Sequence, residues 1–135
     1  MKRLNLTLLI LIVFAIGCET ETSITSSTSK IVVQYSYWAK PGMENDVYLQ
    51  GLIACSIRKK LGHSSGKILK LKSDTNNMPD IIWQCEYPGM KSWKKDVDRL
   101  SKNSDFQEVI DEMNNLVKRY DKAIYEVAKP PSGME

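Results

Sequence analysis

The first strong pattern in the chain is 31–38, IVVQYSYW, a run of Val, Ile, Tyr and Trp that predicts a β-strand, ended by Pro41-Gly42. Helical spacing follows. Glu44 and Asp46 stand where carboxylates suit the positive end of a helix dipole. Val47 to Leu61 continues through Leu49, Leu52, Ile53 and Ile57, and Gly62 occupies a C-terminal cap position. This helix is apolar over much of its circumference, which predicts cover on more than one side. Residues 66–72, GKILKLK, alternate as a second strand, and 73–79, SDTNNMP, is turn chemistry. Ile81 to Tyr87 predicts a third strand. A helix with Trp93, Val97 and Leu100 on one side then breaks or kinks near Asn103 and restarts at Ser104-Asp105-Phe106-Gln107, the Ser-x-x-Gln form of a capping box. Phe106, Val109, Ile110, Met113, Leu116, Val117 and Tyr120 form one apolar stripe over four turns, and 122–127, KAIYEV, alternates as a last strand.

The predicted order is βαββαβ. It specifies an α+β, ferredoxin-like sandwich: a four-stranded antiparallel sheet with two helices on one face. A repeat reinforces it. Ile31, Val32, Gln34 and Tyr37 match Ile81, Ile82, Gln84 and Tyr87, and both runs end in Pro-Gly-Met, the first after an insertion of Trp38, Ala39 and Lys40. Shared β-strand composition could produce part of this match. A duplicated βαβ half produces all of it, with the two strands adjacent about a pseudo-twofold axis.

Side chains alternate between the faces of a strand. Ile31, Val33, Tyr35, Tyr37, Ile81, Trp83, Cys85 and Tyr87 form an apolar and aromatic set suited to lie under the helices. Val32, Gln34, Ser36, Trp38, Ile82, Gln84 and Glu86 form a mixed set, too apolar for open solvent and too polar for a dry core. Either Ile68, Lys70 and Lys72 or Leu69 and Leu71 join it. Gln34, Ser36, Trp38, Gln84 and Glu86 are therefore the candidate site residues. They line a ligand cavity, or they pair across a dimer interface and hold nothing.

The ends carry different information. Lys2 and Arg3 precede an apolar stretch of 13 residues, Leu4 to Ile16, broken by Asn5 and Thr7. That is short for a membrane span of about 20 residues and suited to the apolar core of a signal peptide. Ala15, Ile16, Gly17 and Cys18 follow. This resembles the lipobox of bacterial lipoproteins, although Ala15 stands where that family usually has Leu. The resemblance implies removal of a signal peptide, 1–17, and a lipid on the Cys18 thiol. It implies a membrane-anchored protein of the cell envelope, periplasmic or surface-facing. Residues 18–29 then form a Ser/Thr-rich tether, 30–129 the domain and 130–135 a Pro/Gly tail.

The whole chain carries a formal charge of +3, and loss of Lys2 and Arg3 leaves it near +1. This near neutrality argues against a nucleic-acid partner, which needs a basic face. Arg58-Lys59-Lys60 and 91–95, KSWKK, read as solvated surface. Cys55 and Cys85 fall in apolar elements, as two buried thiols or as a helix-to-strand disulfide. No second Cys or His stands at metal-ligand spacing, and no Gly-rich phosphate loop or nucleophilic triad motif occurs, so neither metal nor cofactor is expected. His63, the single histidine, reads as a loop residue interacting with helix-end carbonyls, ahead of a proton shuttle.

The element order, the domain size and the aromatic third strand running into PGMKSWKKDVDRL, with Tyr87 and Trp93 placed around the turn, resemble the dimeric α/β-barrel superfamily over about residues 30–128. Its members include antibiotic-biosynthesis monooxygenase-like and NIPSNAP-like domains. The resemblance implies a homodimeric α/β barrel with two sheets face to face and the mixed set lining the shared space. No catalytic residue carries over, because the Asn, Trp and His set of the enzymatic members is not matched. Two functions are then expected to compete: a non-catalytic envelope lipoprotein holding a small apolar ligand between its sheets, and a cofactor-independent oxygenase acting on an aromatic or quinone-like substrate.

Overall fold

A computed structural model of the chain describes residues 29–73, 77–129 and 133. The expected signal peptide, Cys18 and nearly all of the tether and tail lie outside the described residues.

The elements follow the predicted order. They are β1 (Ile31–Ala39), α1 (Glu44–Lys60), β2 (Lys67–Lys70), β3 (Ile81–Tyr87), α2 (Met90–Leu100), α3 (Ser104–Leu116) and β4 (Val117–Glu126). The four strands form one antiparallel sheet in the order β2-β3-β1-β4. This is the ferredoxin-like arrangement, with β1 and β3 central. The second helical region is two helices, separated where the sequence breaks at Asn103.

The register gives the repeat a geometric meaning. The repeat relates residues fifty apart, while the β1–β3 ladder runs from Ile31 opposite Tyr87 to Tyr37 opposite Ile81. Both relations hold for one pair alone, Gln34 opposite Gln84. The pseudo-twofold axis of the domain therefore passes between these two glutamines.

The core forms on the predicted side. Ile31, Val33, Cys85 and Tyr87 are buried together beside Trp83 and Trp93, and Ala39, Val47, Ile81, Met113 and Val117 make a second cluster toward α1 and α3. Leu69, opposite Ile82, supplies the mixed face from β2, whereas Ile68 packs against the core.

Two boundaries differ from the sequence expectation. The apolar stripe of α3 reads as helix through Tyr120, yet the helix stops at Leu116 and β4 begins at Val117, five residues before the predicted strand. Leu116 gives its carbonyl to the Lys40 amide at 2.9 Å, and Val117 pairs with Ala39 at a β-bulge. The stripe continues because Val117 joins the same core cluster and Tyr120 packs its ring near Tyr35 and Tyr37, so the strand keeps a helix-like spacing of apolar residues. The N-cap of α3 is Asn103, not Ser104: its Oδ1 accepts the Phe106 amide at 2.8 Å.

Candidate functional site

A cavity of about 290 Å³ lies between the core face of the sheet and the helices. Tyr35 and Tyr37 of β1, Trp83 of β3, Trp93 of α2 and Phe106 of α3 line it with aromatic rings. The rings of Tyr35 and Tyr37 stack at 6.4 Å with 14° between their planes, and Tyr35 tilts against Trp83 at 5.9 Å. Such offset and tilted pairs satisfy aromatic quadrupoles while leaving ring faces available to a guest. The volume equals about ten waters at ~30 Å³ each, enough for a molecule of two fused rings.

A buried polar cluster closes one part of this wall. Arg58 lies on the inner seam of α1, at helical spacing from Val47, Gly51 and Ala54, so it turns inward while Lys59 and Lys60 stay exposed. Gly62, with φ +76°, then reverses the chain: its amide bonds to the Lys59 carbonyl at 3.1 Å and the His63 amide to the Arg58 carbonyl at 2.9 Å. This paired capping of the helix end needs the left-handed conformation that glycine adopts at little cost. The turn brings His63 back over its own helix. Asp96 comes from the inner seam of α2, one turn from both Trp93 and Leu100.

The four side chains meet closely. Nη2 of Arg58 donates to Asp96 Oδ2 at 2.6 Å and to the Tyr87 hydroxyl at 2.8 Å, and its Nε donates to the Ser64 carbonyl at 2.8 Å. The Tyr87 hydroxyl donates to the same Asp96 oxygen at 2.6 Å, and His63 Nδ1 faces Oδ1 of Asp96. Arg58 is only 5% exposed and Asp96 8%. The guanidinium also lies 4.9 Å from the centre of the Trp83 ring.

These contacts set the protonation of the cluster. Burial alone would raise the Asp96 pKa, but the Tyr87 hydrogen bond and the Arg58 charge outweigh it and hold the carboxyl below its ordinary value. Burial, and then the bond to Asp96, push the Tyr87 phenol well up. Burial also pushes the Tyr37 phenol up. Burial opposes the charge of Arg58, yet Tyr87 and Asp96 more than compensate and raise its pKa. The tyrosines are therefore neutral phenols and Asp96 is a weak base at neutral pH.

The residues expected to form the site lie on the other face of the sheet, and none of them borders the cavity. Three come together: Gln84 Nε2 donates to Gln34 Oε1 at 2.7 Å, and Gln34 Nε2 donates to the Ser36 hydroxyl at 3.1 Å. Trp38 stands apart at one end, where the Arg119 guanidinium lies 3.8 Å from its ring centre and its indole donates to the Asn77 carbonyl. Glu86 is at the opposite end, exposed and 3.3 Å from Lys30 Nζ. Cys55 and Cys85 are free thiols; Cys55 donates to the Ser65 carbonyl at 3.0 Å, and burial raises its pKa.

Arg58 overturns its sequence reading: it is buried rather than solvated. His63 meets its reading through its backbone amide on the Arg58 carbonyl, and its imidazole adds a contact the sequence did not suggest, with Asp96. The missed signal was a pair of opposite charges, Arg58 and Asp96, each on the apolar seam of its helix.

No protein-family model matches the chain, and no curated protein resembles it in sequence. Solved structures resemble its fold. A NIPSNAP family protein from Agrobacterium tumefaciens superimposes with a TM-score of 0.58 at 15% identity, over 74% of this chain and 87% of its own. A putative antibiotic biosynthesis monooxygenase from Bacteroides thetaiotaomicron gives 0.55 at 10% identity, over 79% and 97%. A dimeric protein of unknown function with a ferredoxin-like fold, from Bacteroides fragilis, gives 0.55 at 8% identity, over 73% and 96%.

Proposed function

We propose that the protein is a lipid-anchored, homodimeric cell-envelope protein that binds a small, flat, apolar molecule in the cavity of each protomer, without transforming it. The cavity itself carries this reading: its walls are aromatic, and the nearby polar groups of Arg58 and Tyr87 are already bonded to each other and to Asp96. A binding pocket needs apolar enclosure with a few orienting polar groups. An oxygenase would need a base placed to draw a proton from its substrate, and the phenols and carboxylate here are poorly matched to that task at neutral pH. This reading puts the ligand between sheet and helices rather than between two sheets.

Calorimetric titration with 2-naphthylmethanol, a neutral two-ring probe, tests the site. One molecule per protomer should bind. Ile110→Trp, which fills the cavity from α3, should weaken binding at least about tenfold, or roughly 1.4 kcal/mol, with an unchanged circular dichroism spectrum. Equal binding by this variant places the probe elsewhere. Oxygen uptake above background with 1,4-naphthohydroquinone would favour an oxygenase instead.

The dimer and anchor readings share one test. The open sheet face carries Trp38, Ile82, Leu69 and Tyr125 beside the paired glutamines, a mixed surface suited to a second copy. Cys18→Ser should move the protein out of the membrane fraction or leave its signal uncleaved. Light scattering on the purified variant should give twice the protomer mass. A variant that loses its signal yet stays membrane-bound removes the lipid, and a monomer removes the shared barrel.

A further inference from the structure

The polar cluster presents an asymmetric face to the cavity. Arg58 and Tyr87 border it; Asp96 and His63 do not. Tyr87 directs its proton at Asp96, so it has none to offer a guest. Arg58 uses Nε and Nη2 on Ser64, Tyr87 and Asp96, and among the described residues it is the one charged side chain that lines the space. Seen from the cavity, the cation stands in front and its carboxylate behind, a dipole with its positive end turned inward. Low polarity in the surrounding walls strengthens that field.

We propose that the ligand is an aromatic carboxylic acid whose carboxylate seats on Arg58 while its rings lie among Tyr35, Trp83, Trp93 and Phe106. This rests on the cavity being the ligand site. A guanidinium whose Nε and Nη2 are fixed by three acceptors holds Nη1 in a preset plane, free to donate a charge-assisted hydrogen bond to a carboxylate oxygen. Arg58 and Asp96 sum to zero, so the carboxylate is held by the orientation of this dipole and by direct hydrogen bonds rather than by a spare positive charge. The aromatic walls select the body of the ligand and Arg58 selects its head.

The test compares three two-ring probes by calorimetry on the purified protein: 2-naphthoate, 2-naphthylmethanol and 2-naphthylmethylammonium. The naphthoate should bind at least about tenfold tighter than the alcohol, as charge-assisted hydrogen bonds are roughly twice as strong as neutral ones, and the ammonium should bind weakest. Arg58→Gln should narrow the naphthoate-to-alcohol ratio to about twofold. Equal binding of naphthoate and alcohol to the unaltered protein overturns the acid preference and leaves the cavity as a ligand site. Failure of all three to bind overturns both. If Arg58→Gln does not fold, the order of the three probes on the unaltered protein still decides.

Discussion

Asp96→Asn is expected to lower the melting temperature by roughly 12–40 °C, from an expected destabilisation of about 3–5 kcal/mol for an unpaired buried charge at ~4–8 °C per kcal/mol in a domain of this size. The substitution keeps the size of the side chain and removes its charge. Arg58, 5% exposed, then has no counter-ion among its hydrogen-bond partners, only the Tyr87 hydroxyl and the Ser64 carbonyl. Because the loss comes from an uncompensated charge, removing both charges should cost less than removing one. Arg58→Met combined with Asp96→Leu should melt above either single change. A double variant no more stable than the singles would show that the pair stabilises the fold by itself.

The same residue sets an acid dependence. The folded pKa of Asp96 lies below its ordinary value, so its contribution is present above the unfolded pKa, about 3.9, and is lost as pH falls through the folded one. The gap in melting temperature between the unaltered protein and Asp96→Asn should therefore be constant near neutrality and shrink below about pH 4. A gap independent of pH down to acid unfolding would place the Asn effect in packing rather than in charge.

The central strands and their faces were legible because both faces constrain them. Ile31, Val33, Ile81 and Cys85 could face only a core, and the repeat made Gln34 and Gln84 equivalent, which the register then shows to be directly opposite. The same ladder explains the mixed outcome for the expected site. Gln34, Gln84 and Ser36 meet because they sit at its middle, while Trp38 and Glu86 lie toward opposite ends. The cavity was not legible. Half-buried aromatics such as Tyr35 and Trp83 have the same sequence pattern whether they pack against one another or around a space. Nor does periodicity separate Arg58 from Lys59, since a charge at a helix end is usually solvated; only its fit to the seam of Val47, Gly51 and Ala54 does so.

Gly66→Ala should be the second severe change, and it ties the fold to the cavity. Gly66 has φ +75°, and a Cβ placed there would stand 2.5 Å from the Trp83 Nε1, 2.6 Å from Trp83 Cε2 and 2.6 Å from the Gln84 carbonyl oxygen. The carbonyl belongs to β3, flanked by β1 and β2, and has little room to shift. The Trp83 ring must therefore move, which breaks its indole bond to the Ser65 carbonyl at 2.9 Å and takes away both a cavity wall and the ring beside Arg58. Left-handed strain of about 1–2 kcal/mol and overpacking of about 1–3 kcal/mol together predict a loss of roughly 2–5 kcal/mol by urea unfolding. Gly62→Ala isolates the first contribution. Gly62 has φ +76° but open space around its Cβ position, so it should lose only about 1–2 kcal/mol. The two variants should also part in binding: Gly62→Ala retains the affinity for 2-naphthylmethanol, and Gly66→Ala loses most of it. Equal losses of stability at both positions would mean that Trp83 can turn aside freely, and an aromatic wall that turns aside freely cannot define the shape of a ligand.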